Sequence, residues 1–250
     1  MSSERTDERH ALIIAAGRGS RLRMSTANRP KPMVEVGGTP LIRRVIEAAG
    51  AAGIARFTVV TGYLGDVLED YLARETPAGV KVSCIRNPEW ERPNGVSVWK
   101  ARGFVPREFA LLMSDHLFDP RILRLLYSTP LEDGFCRLAA DFNPGGVPDL
   151  EDATKVSAVG GRLMDIGKEI RDYNAVDTGV FLCTEGIFSA LEAAISRGEE
   201  SLSAAVLELA RRGKMEVTDI GGLFWRDVDD EAGLLEAERA IVGKAVTFSY

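Results

Sequence analysis

The feature that most constrains this sequence is the rhythm of its first 130 residues, where short apolar runs alternate with segments of helical period. The apolar runs of strand length lie at 11–16, 57–61, 80–85 and 109–113, and the helical segments at 41–51, 64–74, 96–102 and 120–127. Continuous apolar strands separated by helices are typical of a parallel sheet that is covered on both faces. The sequence therefore predicts an α/β fold.

The rhythm changes after residue 133, where strand-like stretches follow one another with Gly, Asn and Asp turns between them. These stretches lie at 134–141, 154–159, 162–166 and 176–183; helices are predicted at 185–196, 201–212 and 230–242, and strands at 215–218 and 223–228. Asp229 or Asp230 is a candidate N-cap for the last helix. No repeat or linker interrupts the pattern. We therefore predict one domain over residues 1–250, with a flexible N-terminus at 1–10.

Charge and composition limit the partners of this chain. The formal net charge of -6 argues against a general nucleic-acid-binding surface, which requires a basic balance. No apolar run approaches the ~20 residues that span a bilayer, and the N-terminus lacks the apolar core of a signal peptide. The three cysteines, Cys84, Cys136 and Cys183, are expected to be buried free thiols in a reducing compartment. We expect a cytoplasmic protein that neither binds nucleic acid nor inserts into a membrane.

Positive charge is nevertheless concentrated directly after the first predicted strand, in the segment LIIAAGRGSRLRMSTANRPKPMV. Its cations are Arg18, Arg21, Arg23, Arg29 and Lys31. Glycines between a strand and a helix let the backbone approach a ligand and present N–H groups to an anion. The Walker A pattern is absent, and Leu22 stands where a dinucleotide fingerprint needs its third glycine. The segment is therefore either a solvated basic turn or a phosphate site of another design.

The order Gly17-Arg18-Gly19-Ser20-Arg21, followed by Lys31-Pro32, resembles the G-x-G-x-R and K-P signature of the nucleotidyltransferases that make nucleotide-sugars and CDP-alcohols. The resemblance extends over nearly the whole chain. It implies a single Rossmann-like nucleotidyltransferase domain with a mostly parallel, mixed central sheet, flanking helices and a small β extension. Residues 11–130 would form the nucleotide-binding half, and residues 131–250 the acceptor-binding half with the closing helix.

The same resemblance implies roles for the loop and for a second segment, RNPEWERPNGVSVWKAR. Arg21 and Lys31 would stabilise the triphosphate and the departing pyrophosphate during catalysis. An N-G-x-S turn would open a helix beside the nucleobase, although a plain helix N-terminus capped by Asn94 is the alternative. The implied nucleotide-binding residues are Ala15, Ala16, Gly17, Arg18, Gly19, Ser20, Asn94, Gly95 and Ser97.

Aspartates at the ends of two predicted strands supply the implied metal site. In FALLMSDHLF, Asp115 ends a strand, where open α/β sheets bind their ligands. In FWRDVDD, either Asp227 or Asp229 would be the second carboxylate ligand, and Asp229 could instead cap the last helix. Two carboxylates together with substrate phosphates suit Mg²⁺, which is the cofactor that the resemblance implies.

The segment DIGKEIRDYNAVDTGVFLC resembles the acceptor segment of the family. It implies that Lys168 binds the phosphate of the acceptor during catalysis, and the mid-strand Lys155 is a competing candidate that we interpret as sheet surface. The S-D-H order puts His116 next to Asp115 and is most similar to CTP:inositol-1-phosphate cytidylyltransferases. The implied acceptor-binding residues are His116, Glu169, Asn174, Asp177 and Gly179.

The predicted reaction is transfer of CMP from CTP to inositol-1-phosphate, which releases pyrophosphate and gives CDP-inositol. An ionised phosphate attacks without a catalytic base, which agrees with a chain that has only two histidines. Alternatives are a sugar-1-phosphate nucleotidyltransferase, a phosphocholine or phosphonate cytidylyltransferase, a glycosyltransferase that consumes nucleotide-sugars, and a catalytically silent regulatory subunit. Further expected partners are a second copy of the chain and a separate membrane enzyme that uses the product.

Overall fold

The computed structural model describes residues 8–19 and 29–242. Within these ranges the strands are β1 (Arg9–Ala15), β2 (Glu35–Val36), β3 (Thr39–Pro40), β4 (Ile54–Thr61), β5 (Lys81–Arg86), β6 (Glu108–Met113), β7 (His116–Phe118), β8 (Cys136–Asp141), β9 (Lys155–Val159), β10 (Arg162–Gly167), β11 (Ala175–Thr184), β12 (Met215–Asp219) and β13 (Trp225–Asp227). The helices are α1 (Leu41–Ala51), α2 (Gly65–Glu75), α3 (Asn94–Lys100), α4 (Pro120–Leu126), α5 (Gly186–Ile195), α6 (Leu202–Arg211) and α7 (Glu231–Val242), with 3₁₀ turns at Lys31–Met33 and Pro144–Gly146.

A nine-stranded mixed sheet in the order β5-β4-β1-β6-β11-β8-β12-β10-β9 forms the centre of the fold. The first four of these strands run parallel to one another, as the alternating rhythm predicts. Their carboxyl ends therefore meet at one edge of the sheet. That edge carries the glycine loop after β1 and the turn after β6.

The second half of the chain extends this sheet with mostly antiparallel pairings. Strand β11 runs antiparallel to both β6 and β8, and β9 and β10 form an antiparallel hairpin at the far edge. Strand β9 also pairs with the start of β11, so the hairpin folds back toward the centre. The predicted change from parallel units to a β extension is confirmed.

Alternate residues of the central strands pack into two separate layers. Leu12 and Ile14 of β1 contribute to the core on the side of α5 and α6, whereas Ile13 contributes to the core on the side of α1 and α4. Side chains of a strand point alternately to the two faces of a sheet, so a sheet that is covered twice needs a continuous apolar run. This explains why the central strands show no apolar–polar alternation.

Two features of the fold differ from the sequence predictions. The hairpin of β2 and β3 and the short strand β7 were not predicted, because elements of two or three residues have no readable periodicity. Cys84 is exposed, since β5 is the outer strand of the sheet, whereas Cys136 and Cys183 are buried and directly opposite each other on β8 and β11. The prediction of a buried thiol at residue 84 is therefore wrong.

None of the helices in the described ranges combines the length and the apolar character that a membrane-spanning segment requires.

Candidate active site

The glycine loop leaves the carboxyl end of β1 and lies against Lys31. Ala15 and Ala16 are buried, and the carbonyl oxygen of Ala16 accepts a hydrogen bond from the N–H of Tyr63 (2.9 Å). Gly19 has φ +63°, and a Cβ at this residue would lie 2.5 Å from Cβ of Lys31. A glycine is therefore required here both by the backbone conformation and by the close approach to the lysine stem.

The other loop residues are exposed or fall outside the described ranges. Gly17 and Arg18 are exposed, and the Arg18 guanidinium lies over the Tyr63 ring, 5.5 Å from its centroid. Ser20 and Arg21, for which the resemblance implies nucleotide binding and a catalytic role respectively, lie outside the described residues.

Lys31 is buried at the base of the site and pairs with two carboxylates. Its Nζ donates to Oδ2 of Asp115 and, at 2.5 Å, to Oδ1 of Asp229. Burial alone would lower the pKa of Lys31, but the surrounding carboxylates outweigh burial and hold this pKa above its ordinary value. Burial alone would likewise raise the pKa of Asp115, but the cations of Lys31 and His116 keep it well below its usual range.

A small apolar cluster brings together these charged residues from distant parts of the sequence. Each charged residue lies within three positions of a cluster member: Val34 follows Lys31, Leu117 follows Asp115, and Val228 separates Asp227 from Asp229. The cluster consists of Val34, Val36, Leu41, Leu117, Val228 and Ala237. Burial of these apolar side chains therefore fixes the positions of the charges next to them.

The pairing of β7 with β13 places His116 directly opposite Asp227. Nδ1 of His116 lies 2.9 Å from Oδ1 of Asp115 and 3.8 Å from Oδ1 of Asp227. Burial alone would lower the pKa of His116, but the carboxylates of Asp227 and Asp115 outweigh it and raise this pKa to about 9. Burial raises the pKa of Asp227 itself to about 6.

These residues fit a divalent cation. One ligand atom each from Asp115, His116 and Asp227 can be chosen so that all lie within 4.8 Å of one another. Among the described residues, the buried Oδ1 of Asp227 has no hydrogen-bond partner, and the His116 ring lies 3.8 Å away, too far for a hydrogen bond, so this oxygen can ligate a cation. Carboxylate oxygens are the ligands that Mg²⁺ prefers. Asp229 is not part of this three-residue group, and its Oδ1 pairs with Lys31. Oδ1 of Asp230 accepts from the N–H of Gly233 (2.7 Å) at the start of α7, so Asp230 is the helix cap.

A bulge in β11 makes room for His116. Gly179 has φ +72°, and a Cβ there would lie 2.5 Å from Cδ2 of the His116 ring. The pairing of β11 with β8 shifts register between Asp177 and Phe181, as expected for a bulge beside a functional site. Oδ1 of Asp177 accepts from the N–H of Gly179 (2.7 Å), and burial raises the pKa of Asp177 to about 6.

The charged cluster opens into a cavity of about 530 Å³. Part of its lining, which we call the far wall, consists of residues 149, 152–154 and 168. In this wall, Nζ of Lys168 lies 2.5 Å from Oδ1 of Asp152. The predicted site residues that line the cavity are Asn94, Asp115, His116, Lys168, Asp177, Gly179, Asp227 and Asp229. The structure therefore brings together the metal, histidine and acceptor residues that the sequence singled out.

Of the predicted nucleobase and acceptor residues, four lie outside the described cavity lining, as do Lys31 and residues 15–19 of the glycine loop. The Asn174 amide exchanges two hydrogen bonds with the backbone of Ala158, and Glu169 is exposed outside the cavity. Gly95 is buried where a Cβ would lie 2.4 Å from the carbonyl oxygen of Glu200, and Oγ of Ser97 accepts from the Asn87 amide at 3.0 Å. The polar groups of Asn174 and Ser97 are thus engaged within the fold around the site, and Gly95 packs closely against the backbone of residue 200.

Asn94 does not cap its own helix, which was one of the two sequence interpretations. Its Oδ1 accepts from the N–H of Leu202 (2.9 Å), so it caps α6 rather than its own helix, which it begins. It therefore lines the cavity and also anchors the helix that faces it.

Trp225 and Asp152 are among the polar residues of the cavity that sequence reasoning did not single out. Trp225 stacks near His116, with 6.5 Å between ring centroids, and its Nε1 donates to Oδ2 of Asp141 (2.8 Å). Asp152 pairs with Lys168. Trp225 could have been found from its spacing, because it lies two residues before Asp227 and therefore on the same side of a strand.

Together the fold and the site describe an α/β protein whose cavity combines a buried charged cluster with Lys168. The chain belongs to the MobA-like NTP transferase family, whose domain matches residues 11–206. This is a family of nucleotidyltransferases, and the resemblance stated from the sequence is thereby confirmed.

Individual relatives and solved structures match the chain over nearly its whole length. Proteins named bifunctional IPC transferase and DIPP synthase are 34% identical in Rubrobacter xylanophilus, over 99% of this chain and 56% of that protein, and 32% identical in Archaeoglobus fulgidus, over 94% and 44%. The chain thus spans about half the length of the curated relatives it matches. The solved structure of the inositol-1-phosphate CTP transferase from T. maritima superposes with a TM-score of 0.79 at 28% identity, covering 92% of this chain and 96% of that one. A UDP-glucose pyrophosphorylase complexed with UDP-glucose shares the fold, with a TM-score of 0.80 at 21% identity and coverage of 94% and 99%.

Proposed function

We propose that this protein transfers CMP from CTP to inositol-1-phosphate, giving CDP-inositol and pyrophosphate. The observation that carries the proposal is that Asp115, Asp227 and Asp229 line one cavity together with Lys168, while the buried Lys31 pairs with two of these aspartates. The likeness to an inositol-1-phosphate CTP transferase over nearly the full length of both chains supports the choice of nucleotide and acceptor. The S-D-H order at Asp115 and His116 supports it from the sequence.

The charged residues around Lys31 are suited to binding the nucleotide. Asp115 and Asp227 would hold Mg²⁺, which when bound supplies positive charge near the phosphates of the nucleotide. Lys31, together with Arg21 of the glycine loop, would neutralise the triphosphate and the departing pyrophosphate. Because Lys31 already pairs with Asp115 and Asp229, its ammonium group is held in place before the nucleotide arrives.

The far wall suits the acceptor. Lys168 would bind the phosphate of inositol-1-phosphate and offset its repulsion from the nucleotide. An oxygen of that phosphate then attacks the α-phosphorus of CTP, the bond from the α-phosphorus to the bridging oxygen breaks, and that oxygen leaves with pyrophosphate. No proton has to be removed from the attacking oxygen. His116 and Asp177, which line the same cavity, would bind hydroxyl groups of the ring.

Several finer points belong to the same proposal. We place the reaction in the cytoplasm, with Mg²⁺ as the metal, and expect a homodimer whose product is consumed by a separate membrane enzyme. A phosphonate acceptor is the second candidate, because a 2-aminoethylphosphonate cytidylyltransferase from Lancefieldella rimae is 32% identical over 62% of this chain and 61% of that protein.

The proposal is tested by measuring pyrophosphate release with Mg²⁺ across a grid of substrates. CTP, UTP, GTP, ATP and dTTP are each combined with inositol-1-phosphate, phosphocholine, 2-aminoethylphosphonate and glucose-1-phosphate, and Asp115→Asn is the inactive control. Turnover confined to CTP with inositol-1-phosphate is the expected result. Turnover with a different pair would overturn the acceptor or nucleotide assignment, and no turnover in any pair would overturn the proposed activity.

A further inference from the structure

A buried lysine outside the assigned site connects two segments of the cavity wall. Lys155, the first residue of β9, is only 9% exposed, which corrects its interpretation as sheet surface. Its Nζ donates to the carbonyl oxygen of Lys168 at 2.7 Å, to that of Glu151 at 3.1 Å and to that of Ala153 at 3.4 Å. The ammonium group therefore joins the turn before β9 to the residue that follows β10.

The carbonyl groups that Lys155 binds belong to the backbone of the far wall. The carbonyl groups of Glu151 and Ala153 flank Asp152, and the third carbonyl belongs to Lys168 itself. Asp152 and Lys168 form the ion pair that lines the cavity. Lys155 thus binds the main chain on both sides of one partner of this pair and at the other partner.

The same turn is connected to the rest of the acceptor pocket. The N–H of Asp177 donates to the carbonyl oxygen of Thr154 at 2.9 Å. Lys155 itself is paired with Gly167 of β10 on one side and with Val176 of β11 on the other. Its backbone is therefore fixed by two strands, and its side chain reaches from this fixed point to the wall.

A lysine is chemically suited to this position. An ammonium group carries three N–H donors and can meet three carbonyl oxygens that approach from different directions. An apolar side chain of similar length would leave those oxygens without donors, and buried unsatisfied carbonyls favour rearrangement of the backbone that bears them. The far wall would then lose the backbone arrangement that places Lys168 in the cavity lining.

We propose that Lys155 is a positioning residue: it fixes the backbone of the far wall and thereby the position from which Lys168 binds the phosphate of the acceptor. This inference rests on the proposed role of Lys168 in binding that phosphate. Lys155 acts through the carbonyl groups of its neighbours and does not itself touch the substrate.

The kinetic test compares Lys155→Met and Lys155→Arg with a matched control, Arg137→Met. Arg137 is also buried and donates to three carbonyl oxygens, those of Leu126, Thr129 and Pro130, but it lies outside the described cavity lining. The Met variant of Lys155 should raise the KM for inositol-1-phosphate by about ten-fold or more while the KM for CTP stays within about two-fold. Lys155→Arg should give an intermediate acceptor KM, and Arg137→Met should lower Tm without changing either KM.

Equal effects on the two KM values, or an unchanged acceptor KM in a folded Lys155 variant, would overturn the proposal. Lys155→Arg keeps the test possible if Lys155→Met does not fold, because its planar donors cannot reproduce all three bonds.

Amide hydrogen exchange separates this proposal from the proposed function, since it requires no substrate. Exchange at residues 149–154 and 167–169 should accelerate in Lys155→Met relative to the wild type, with little change elsewhere. Unchanged protection of these segments would overturn the positioning role even if the enzyme uses inositol-1-phosphate. If the wild type uses another acceptor, the proposed acceptor fails, and the KM comparison is made with that acceptor.

Discussion

Lys31 shows how neighbouring carboxylates keep a buried side chain positively charged. Lys31 lies between Asp115 and Asp229, and the carboxylates around it hold its pKa above the ordinary value. The same carboxyl group of Asp115 is a proposed metal ligand. Lys31 and a metal ion therefore compete for Asp115 until nucleotide phosphates provide a second partner for the lysine.

The first prediction concerns Lys31→Met. Turnover should fall by about 100-fold or more, because a fixed cation near the departing phosphate is lost. In the absence of nucleotide, Mn²⁺ should bind more tightly than to the wild type, since the competing ammonium group is gone. Electron paramagnetic resonance of free Mn²⁺ measures this, with Lys81→Met on the exposed edge strand β5 as control. Unchanged Mn²⁺ affinity in the Lys31 variant would contradict the competition.

The second prediction separates the two aspartates that the sequence could not rank. Asp227→Asn should weaken Mn²⁺ binding in the presence of nucleotide by about ten-fold or more, because the orphaned Oδ1 belongs to this residue. Asp229→Asn should have the smaller effect, since Asp229 lies outside the group formed by Asp115, His116 and Asp227. Isothermal titration of each variant gives the comparison, and the opposite order would assign the metal to Asp229.

At the scale of secondary-structure elements, the bulge in β11 couples backbone conformation to the position of His116. Gly179 has a positive φ and lies beneath the imidazole ring, whereas Gly198, with φ +81°, faces open space. The two glycines therefore separate the effect of backbone strain from the effect of contact with the histidine.

The third prediction compares Gly179→Ala with Gly198→Ala. Gly198→Ala should cost about 1–2 kcal/mol in the free energy of unfolding, because a Cβ is unfavourable in left-handed backbone. Gly179→Ala should cost at least as much, because its Cβ also meets the His116 ring. Only Gly179→Ala should also raise the acceptor KM, by about ten-fold, since its Cβ displaces His116. Urea denaturation and initial-rate kinetics supply the two readouts. A similar acceptor KM in both variants would show that the position of His116 does not matter for binding.

The sequence predicted the long elements because their apolar runs and helical periods follow directly from burial on two faces. The helix at Leu41–Ala51 begins and ends at the predicted residues, and the other main elements lie within a few residues of their predictions. It could not predict the pairing of β7 with β13, which joins two three-residue strands that lie more than 100 positions apart in the sequence. That non-local pairing is what aligns His116 with Asp227.

At the scale of the whole molecule, the chemistry of the site was more predictable than the roles of its supporting residues. Asp115 and Asp227, which the resemblance assigns to a metal, lie close together, and Lys31 pairs with Asp115. Asn174 and Ser97 bear polar groups just as suited to binding a ligand. The Asn174 side chain is instead hydrogen-bonded to backbone, and the Ser97 hydroxyl to a neighbouring side chain. Which polar group faces a cavity depends on tertiary contacts that a single sequence does not display.

The fourth prediction concerns the pH dependence of stability. His10 is hydrogen-bonded through Nε2 to Oγ1 of Thr58 at 2.8 Å, and burial, with a contribution from the charge of Arg56, lowers the pKa of His10 below 6.5. The unfolded chain therefore binds a proton at higher pH than the folded protein does. Stability should fall as pH drops through 6.5 toward this lowered pKa, and no further below it.

The variant His10→Gln should lose less stability than the wild type between about pH 7 and about pH 5. Thermal unfolding at a series of pH values measures the difference, and groups that titrate equally in both proteins cancel in it. Parallel curves for the two proteins would contradict this assignment.

The most direct test of the central claim follows the oxygen atoms of the acceptor. Inositol-1-phosphate labelled with oxygen-18 in every non-ester oxygen is incubated with CTP, Mg²⁺ and the enzyme, and the products are analysed by mass spectrometry and phosphorus NMR. Direct attack by the acceptor phosphate predicts CDP-inositol that retains all of the label, one labelled oxygen bridging the two phosphorus atoms, and pyrophosphate without label. Label in the pyrophosphate, or the absence of CDP-inositol, would contradict the account.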